Sequence, residues 1–412
     1  MNPSASLADS LVSDDDWSDL HRYQRIPEID FTKLYDYRLG RLKFALREAE
    51  ASMCVLVNPI SLRYAVDYRN YALYQSHIPT TYLFVPVDGP LVIHGAYDPS
   101  PAVEHVRRGR PISFFDGGTE LGEFAGLLAD DVVEYLHEIG TDNRRVAVEY
   151  VNPSLTQALM RRGLDVIDGV AISESARVIK SEEEIACMRW AIATAELGIA
   201  KVQQVLKPGV TELQLWALLN YTNIANNGGW HDGRVLVSGP RTNPWCQEAS
   251  SRRIESGDLV GLDTDMIGPF GYFADISRTF QCGPARPTRR QKRLYRNAVE
   301  EIEFNLKNVR AGISLVEFQE KSFTVADAFH QNAYPCILHG VGMCDEYPRV
   351  NPVFRGPNPY DGTLESGMVI CVESYMGEVG ERDGVKLEQQ VLVTEDGYEM
   401  LTAFPLEADL LD

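Results

Sequence analysis

Five carboxylates and one histidine stand beside strand-like sequence in four regions of the chain's second half. They lie in Leu262-Asp-Thr-Asp265, in Tyr272-Phe-Ala-Asp-Ile-Ser-Arg-Thr-Phe280, in Leu338-His-Gly-Val-Gly-Met343, and in the pair Gly367-Met-Val-Ile-Cys-Val-Glu373 and Val385-Lys-Leu-Glu388. Each acid sits in or beside an apolar, β-prone run, where an ionised carboxylate is costly unless it is paired or binds a cation. Taken singly, any one of them reads as a surface acid at a strand edge. Converging, Asp263, Asp265, Asp275, Glu373 and Glu388 would repel one another unless a cation held them. Oxygen-rich ligation completed by one imidazole, His339, suits a hard or borderline divalent ion such as Mn, Fe, Co or Zn. The set is large enough for one ion or two.

Such a constellation needs elements to carry it. A chain of 412 residues is too long for one compact core. Residues 1–30 read as an extension, 31–175 as an N-terminal α/β domain and 176–412 as the domain with the acidic motifs. In the first domain a helix over 34–51 precedes a strand over 53–57, with further strands expected at 81–86, 91–94, 146–149 and 165–167. They alternate with helical stretches, as in an open sheet flanked by helices. In the second domain Ser181-Glu-Glu-Glu184 is a capping-box start, and apolar residues at 185, 188, 192, 195, 199, 202 and 206 keep helical period. Leu206-Lys-Pro-Gly-Val-Thr211 and, about 100 residues on, Val309-Arg-Ala-Gly-Ile-Ser314 share one pattern: Gly to end a helix, Thr or Ser to cap the next. This faint repeat predicts a duplicated α+β half.

Composition narrows the function class. The chain is 44% hydrophobic and 24% charged, as in ordinary globular proteins, and its net charge of −20 disfavours a nucleic-acid partner. Seven cysteines without a zinc-type C-x-x-C pair read as reduced thiols of a cytoplasmic protein. The first residues, MNPSASLADSLVSDDDW, are polar and acidic and do not form a signal peptide. No apolar run approaches the roughly 20 residues of a membrane helix, so no membrane partner is expected.

The four regions resemble the creatinase, prolidase and methionine-aminopeptidase "pita-bread" superfamily. The resemblance is carried by Gly271-Tyr-Phe-Ala-Asp-Ile-Ser-Arg-Thr279, His339-Gly-Val-Gly342, Gly367-Met-Val-Ile-Cys-Val-Glu373, and Val385-Lys-Leu-Glu388 with Val393-Thr-Glu-Asp-Gly-Tyr-Glu399. It implies an α+β fold: an N-terminal α/β lid domain, then a pita-bread catalytic domain with Asp263, Asp265, Asp275, His339, Glu373 and Glu388 on the metal. It also implies a homodimer in which one lid helps close the partner's site. The chain departs from the peptidases at three places. Thr264 stands where they have an aspartate, and Asp263 and Asp265 flank it. Trp245 ends Ser238-Gly-Pro-Arg-Thr-Asn-Pro-Trp245 where they have a histidine, and Asp345 replaces a second histidine in Asp345-Glu-Tyr-Pro348. These departures resemble the dimethylsulfoniopropionate (DMSP) lyases of the DddP type. Tyr334, five residues before His339, and Asn58-Pro-Ile-Ser-Leu-Arg-Tyr-Ala65 fit that subgroup too, whereas its lid Trp aligns with Tyr74.

The implied reaction is chemically coherent. Cleaving DMSP, a small zwitterion, to dimethyl sulfide and acrylate is a β-elimination. A base takes the proton next to the carboxylate and the sulfonium leaves without acid help. Asp345, a carboxylate desolvated among other acids, is the expected base. Trp245, Tyr334 and Tyr74 are candidates for cation–π contact with the sulfonium, each with core packing as its alternative role. The metal is expected to be one or two divalent ions, iron first, with Mn, Co or Zn as alternatives. The competing reading is a C–N metallohydrolase, either Xaa-Pro peptidase-like or creatinase- or ectoine-hydrolase-like. A non-catalytic binding protein is a third, disfavoured because every acidic and His ligand position is filled. Arg278 is expected to buttress a carboxylate, Gly340 and Gly342 to allow a tight turn, His231 and Asp232 to lie on an exposed loop, and Cys336 and Cys344 to be buried thiols rather than nucleophiles.

Overall fold

The computed structural model describes residues 28–69, 71–95, 106–109, 118 and 121–412. The expected extension over 1–30 therefore lies almost wholly outside the described residues. Two compact units divide the described chain near Arg177 and Val178.

The first unit carries α1 (Phe31–Glu48), β1 (Met53–Leu56), α2 (Pro59–Val66), α3 (Ala72–His77), β2 (Tyr82–Pro86), β3 (Val92–His94), β4 (Arg107–Arg108), α4 (Leu121–Glu138), β5 (Arg145–Val148), α5 (Pro153–Arg161), β6 (Asp165–Asp168) and α6 (Gly169–Arg177). The helices start where the sequence offers caps. Asp30 accepts from the amides of Thr32 and Lys33, and Asn58 and Asn152 cap helices that open with proline. The six strands form one sheet in the order β4-β3-β2-β1-β5-β6. It is mixed: β1 pairs parallel with β5 but antiparallel with β2, because the β1–β2–β3 run returns on itself. Apolar faces of β1, β2, β5, α4 and α5 make its core.

The second unit begins with α7 (Glu182–Val205) and α8 (Glu212–Ala225), followed by β7 (Leu236–Ser238), β8 (Leu259–Leu262), β9 (Met266–Ile267), β10 (Phe273–Ala274) and β11 (Arg278–Gln281). Its second half repeats the order: α9 (Arg289–Leu306), α10 (Leu315–Glu320), then β12 (Leu338–Val341), β13 (Asp345–Val350), β14 (Val369–Gly377), β15 (Gly384–Val393) and β16 (Tyr398–Met400), with α11 (Ala408–Leu411) last. The two junctions read from sequence match in detail. Gly209 and Gly312 both adopt positive φ, 94° and 84°, and Thr211 and Ser314 then cap α8 and α10. Ser181 and Glu184 make the capping box that opens α7. The strands form antiparallel sheets in the orders β11-β8-β7 and β13-β12-β14-β15-β16, with a short β9–β10 pair. One face of β14 and β15 packs on α9 through Ile370, Val372, Met376, Leu387 and Val391 against Leu294, Tyr295, Ala298 and Ile302. Among the described residues no helix is long and apolar enough to cross a membrane.

Candidate metal centre

Strand alternation builds the floor of the site. Side chains of a strand point to opposite faces in turn, so residues two apart share a face. Ile370, Val372, Leu387 and Val391 go to the core, which leaves Cys371, Glu373, Lys386, Glu388 and Gln390 for the other side. Glu373 and Glu388 are directly opposite across the β14–β15 ladder, and both are buried. Like charges in that relation are destabilising without a cation between them.

A threonine organises the next three acids. Thr264 donates through its hydroxyl to the Ala274 carbonyl at 2.7 Å and accepts from the Ile276 amide at 3.0 Å. The loop after β8 is thereby stitched to the segment that carries Asp275. Asp263 and Asp265 flank the stitch, and Asp265 takes a φ of 37°, a left-handed value that asparagine and aspartate tolerate better than most residues. A structural hydroxyl thus stands between the two acids.

His339 lies on β12 at a shift of register between His339 and Gly340, opposite Cys371. Its Nε2 faces the acids, 3.1 Å from Glu388, 3.5 Å from Glu373 and 3.7 Å from Asp275. Its Nδ1 is 3.2 Å from the Gly340 carbonyl and 3.4 Å from Asp345. Gly340 and Gly342 are needed for close approach rather than for the turn expected from sequence. A Cβ would come within 2.2 Å of the Tyr347 carbonyl oxygen at the first and 1.6 Å of a Glu346 oxygen at the second.

Donor atoms of Asp263, Asp265 and Asp275 lie within 4.8 Å of one another, as do those of Asp275, His339, Cys371 and Glu388. Asp275 belongs to both groups. Asp263 Oδ1 and Asp275 Oδ1 are buried and have no hydrogen-bond donor among the described residues. Buried polar atoms rarely go unsatisfied, so Asp263, Asp265, Asp275, His339 and Glu388 fit a divalent cation, whereas Glu373 stands beside them, 3.5 Å from His339 Nε2 and outside both groups. Burial and then mutual repulsion push Asp265 and Asp275 well above the usual carboxylate range. Burial raises Glu373 to about 7 against the pull of Lys386. Burial would raise Glu388 too, but Lys386 and His339 hold it below its ordinary value.

Lys386 was not singled out from the sequence. Fully buried, its Nζ lies 2.8 Å from Glu373, 3.2 Å from Asp263, 3.3 Å from Glu388 and 2.8 Å from the Ser277 hydroxyl. It also sits 4.7 Å from the centre of the Tyr334 ring. Its signal was its register: two residues before Glu388 on a strand, it had to share that residue's face.

The other named residues are placed as follows. Asp345 is 62% exposed at its side chain, against the desolvation expected, because it opens the edge strand β13. Trp245 is buried in a small cluster with Val237 and Tyr375, and Tyr334 packs against that cluster. Tyr74 belongs to the other unit, on α3, 38% exposed and edge-on to Tyr71. Arg278 is buried and donates to the carbonyls of Ser277, Glu388 and Phe404 rather than to a carboxylate, so it braces the backbone of a ligand. His231 is half-buried instead of exposed, because Nδ1 lies 2.7 Å from the Thr264 carbonyl and the ring meets Trp216 edge-on. The neighbouring Asp232 is exposed, as expected, and partial desolvation with a further push from Asp345 raises its carboxyl. Cys336 is buried and donates to Glu373 at 2.9 Å, whereas Cys344 is only partly buried.

A duplicated α+β half with a buried acidic and histidine centre defines a class of metalloenzyme, and the chain belongs to metallopeptidase family M24, whose model matches residues 186–395. Among its relatives, "Dimethylsulfoniopropionate lyase DddP" of Roseovarius nubinhibens is 34% identical, the match covering 93% of this chain and 88% of the relative. The protein of the same name from Roseobacter denitrificans is 33% identical over 87% and 83% of the two chains. The fold is that of a Xaa-Pro dipeptidase structure from Bacillus anthracis, with a TM-score of 0.72 and 23% identity, covering 90% of this chain and 98% of that one.

Proposed function

We propose that this protein is a metal-dependent carbon–sulfur lyase that splits DMSP into dimethyl sulfide and acrylate. The observation that carries the reading is Asp345: an exposed acceptor 3.4 Å from His339 Nδ1, beside the buried acidic cluster, where the resemblance puts a histidine in the peptidases. The relatives' names and their coverage of nearly the whole chain support it. Asp263, Asp265, Asp275, His339, Glu373 and Glu388 would hold the ion, with iron the first candidate. When bound, a divalent ion supplies electrostatic stabilisation of the enolate-like charge that develops on the substrate carboxylate.

The chain's own residues do the rest. Asp345 takes the proton α to the carboxylate. The electron pair left behind forms the new carbon–carbon double bond, the carbon–sulfur bond breaks, and the sulfur leaves as neutral dimethyl sulfide. Asp345 then returns its proton to water. Its exposure keeps that exchange open. Tyr334 reaches the cluster through Lys386 and is the aromatic candidate there for the sulfonium, whereas the Trp245 ring is taken up by packing.

A C–N hydrolase is the second reading, favoured by the family and by the dipeptidase-like fold. Against it stands Trp245, whose ring is taken up by packing at the place of an auxiliary histidine. Purified protein loaded with Fe(II) and mixed with DMSP should release dimethyl sulfide into the headspace and an equal amount of acrylate into solution. Hydrolysis of a Xaa-Pro dipeptide with no dimethyl sulfide would replace the lyase by the hydrolase.

A further inference from the structure

Lys386 is an ammonium group sealed inside a centre that is built to attract cations. It touches Asp263, Glu373 and Glu388, three of the six candidate ligands, and the Ser277 hydroxyl. Ser277 in turn donates to Glu388 at 2.8 Å, so its oxygen is free to accept from Lys386. The ammonium has three protons for four acceptors, and the Tyr334 ring lies over it at 4.7 Å. No side chain of that charge can leave the site without leaving two sheet-bound glutamates facing each other.

The charge count gives this position a meaning. The five candidate-ligand carboxylates carry a formal −5 and the Lys386 ammonium reduces it to −4, which two divalent ions would balance with His339 neutral and the exposed Asp345 outside the count. Without Lys386 the same pair of ions would sit in a site with one negative charge too many, which favours a more highly charged ion. We propose that Lys386 is a positioning residue that sets the charge of the metal centre: it fixes one oxygen each of Asp263, Glu373 and Glu388 and biases the site toward divalent over trivalent ions. This inference takes the six-residue metal reading as given, and it is independent of the substrate.

The test compares wild type with Lys386→Met, which removes the charge at similar length, and Lys386→Arg, which keeps it. Each protein is loaded with Fe(II) without oxygen and equilibrated with a redox mediator at one fixed potential, so that iron gives single electrons to the mediator. Mössbauer spectroscopy then reads the Fe(III) to Fe(II) ratio. Loss of one nearby positive charge should raise that ratio on the order of tenfold in Lys386→Met. Lys386→Arg should stay within about twofold of wild type. A folded Lys386→Met protein with the wild-type ratio would overturn the proposal, as would Lys386→Arg moving as far as Lys386→Met. If Lys386→Met does not fold, Lys386→Gln, neutral but still a donor, takes its place with the same two outcomes. A wild-type protein that takes up no iron, manganese, cobalt or zinc would overturn the metal reading and this inference with it. If instead the iron responds as expected but no dimethyl sulfide is formed from DMSP, the charge-setting role stands and only the lyase reading falls.

Discussion

Asp345 has two chemical roles open to it at 3.4 Å from His339 Nδ1. As a base it takes a substrate proton, and as a neighbour of a ligand ring it would orient the imidazole. Asp345→Asn separates them. If basicity is what matters, the variant should lose about 10²–10⁴-fold in acrylate release while keeping its metal. Metal content that falls with activity would instead assign Asp345 to orienting His339. His339→Ala and Asp275→Ala should both lose metal by elemental analysis, and full metal content in both would remove the ligand assignment. The glutamates add a pH signature. Glu373 titrates at about 7 rather than its ordinary 4.5, because burial disfavours its charge. A raised carboxyl stabilises the fold below pH 4.5 and loses that stabilisation as pH rises through about 7. Chelator-treated protein should therefore melt at lower temperature at pH 8 than at pH 6. Metal-loaded protein should show the opposite trend, because protons and metal compete for the same oxygens. Thermal melts at both pH values, with and without chelator, check both signs.

At the scale of elements, the sheet decides which side chains meet. A strand buried on both faces gives no hydrophobic alternation, so β14 and β15 read only as apolar runs interrupted by charges. The interruptions at 386, 388 and 390 were the visible mark of a polar face, and Lys386 was overlooked because a motif lysine reads as a spacer until its neighbours across the ladder are known. Thr264 shows the same gap. Its position between two acids was plain, but not that its hydroxyl bridges Ala274 and Ile276. Thr264→Val keeps the shape and strands both backbone groups. It should cost about 1–3 kcal/mol in denaturant unfolding and weaken metal retention. Unchanged stability and metal content would mean that the loop holds its acids in place without the stitch. The close packing at Gly340 and Gly342 likewise depends on β13, which the local sequence does not reveal.

For the whole molecule, we propose a homodimer, as the resemblance implies, with the first unit of each chain serving its partner's site. The exposed side chains of Tyr71, Leu73 and Tyr74 are apolar surface consistent with a covered role. Light scattering should give twice the mass of one chain, and Leu73→Glu should shift the protein toward monomer with a loss of activity. A monomeric wild type with full activity would refute the assembly.

By itself the sequence determined the family, the acidic and histidine motifs that the sheets bring together, the helix caps and the duplicated junctions at Gly209 and Gly312. Those features depend on residue type and short spacing, and caps and turns are local chemistry. Only the tertiary structure decided that Lys386 stands among the acids, that Trp245 is packed against Tyr375, that Arg278 braces backbone and that Asp345 meets water. The first three are contacts between segments more than a hundred residues apart, and the last follows from β13 lying at a sheet edge. Their energies come from burial and from charges brought together by the sheet, and neither exists until the chain has folded.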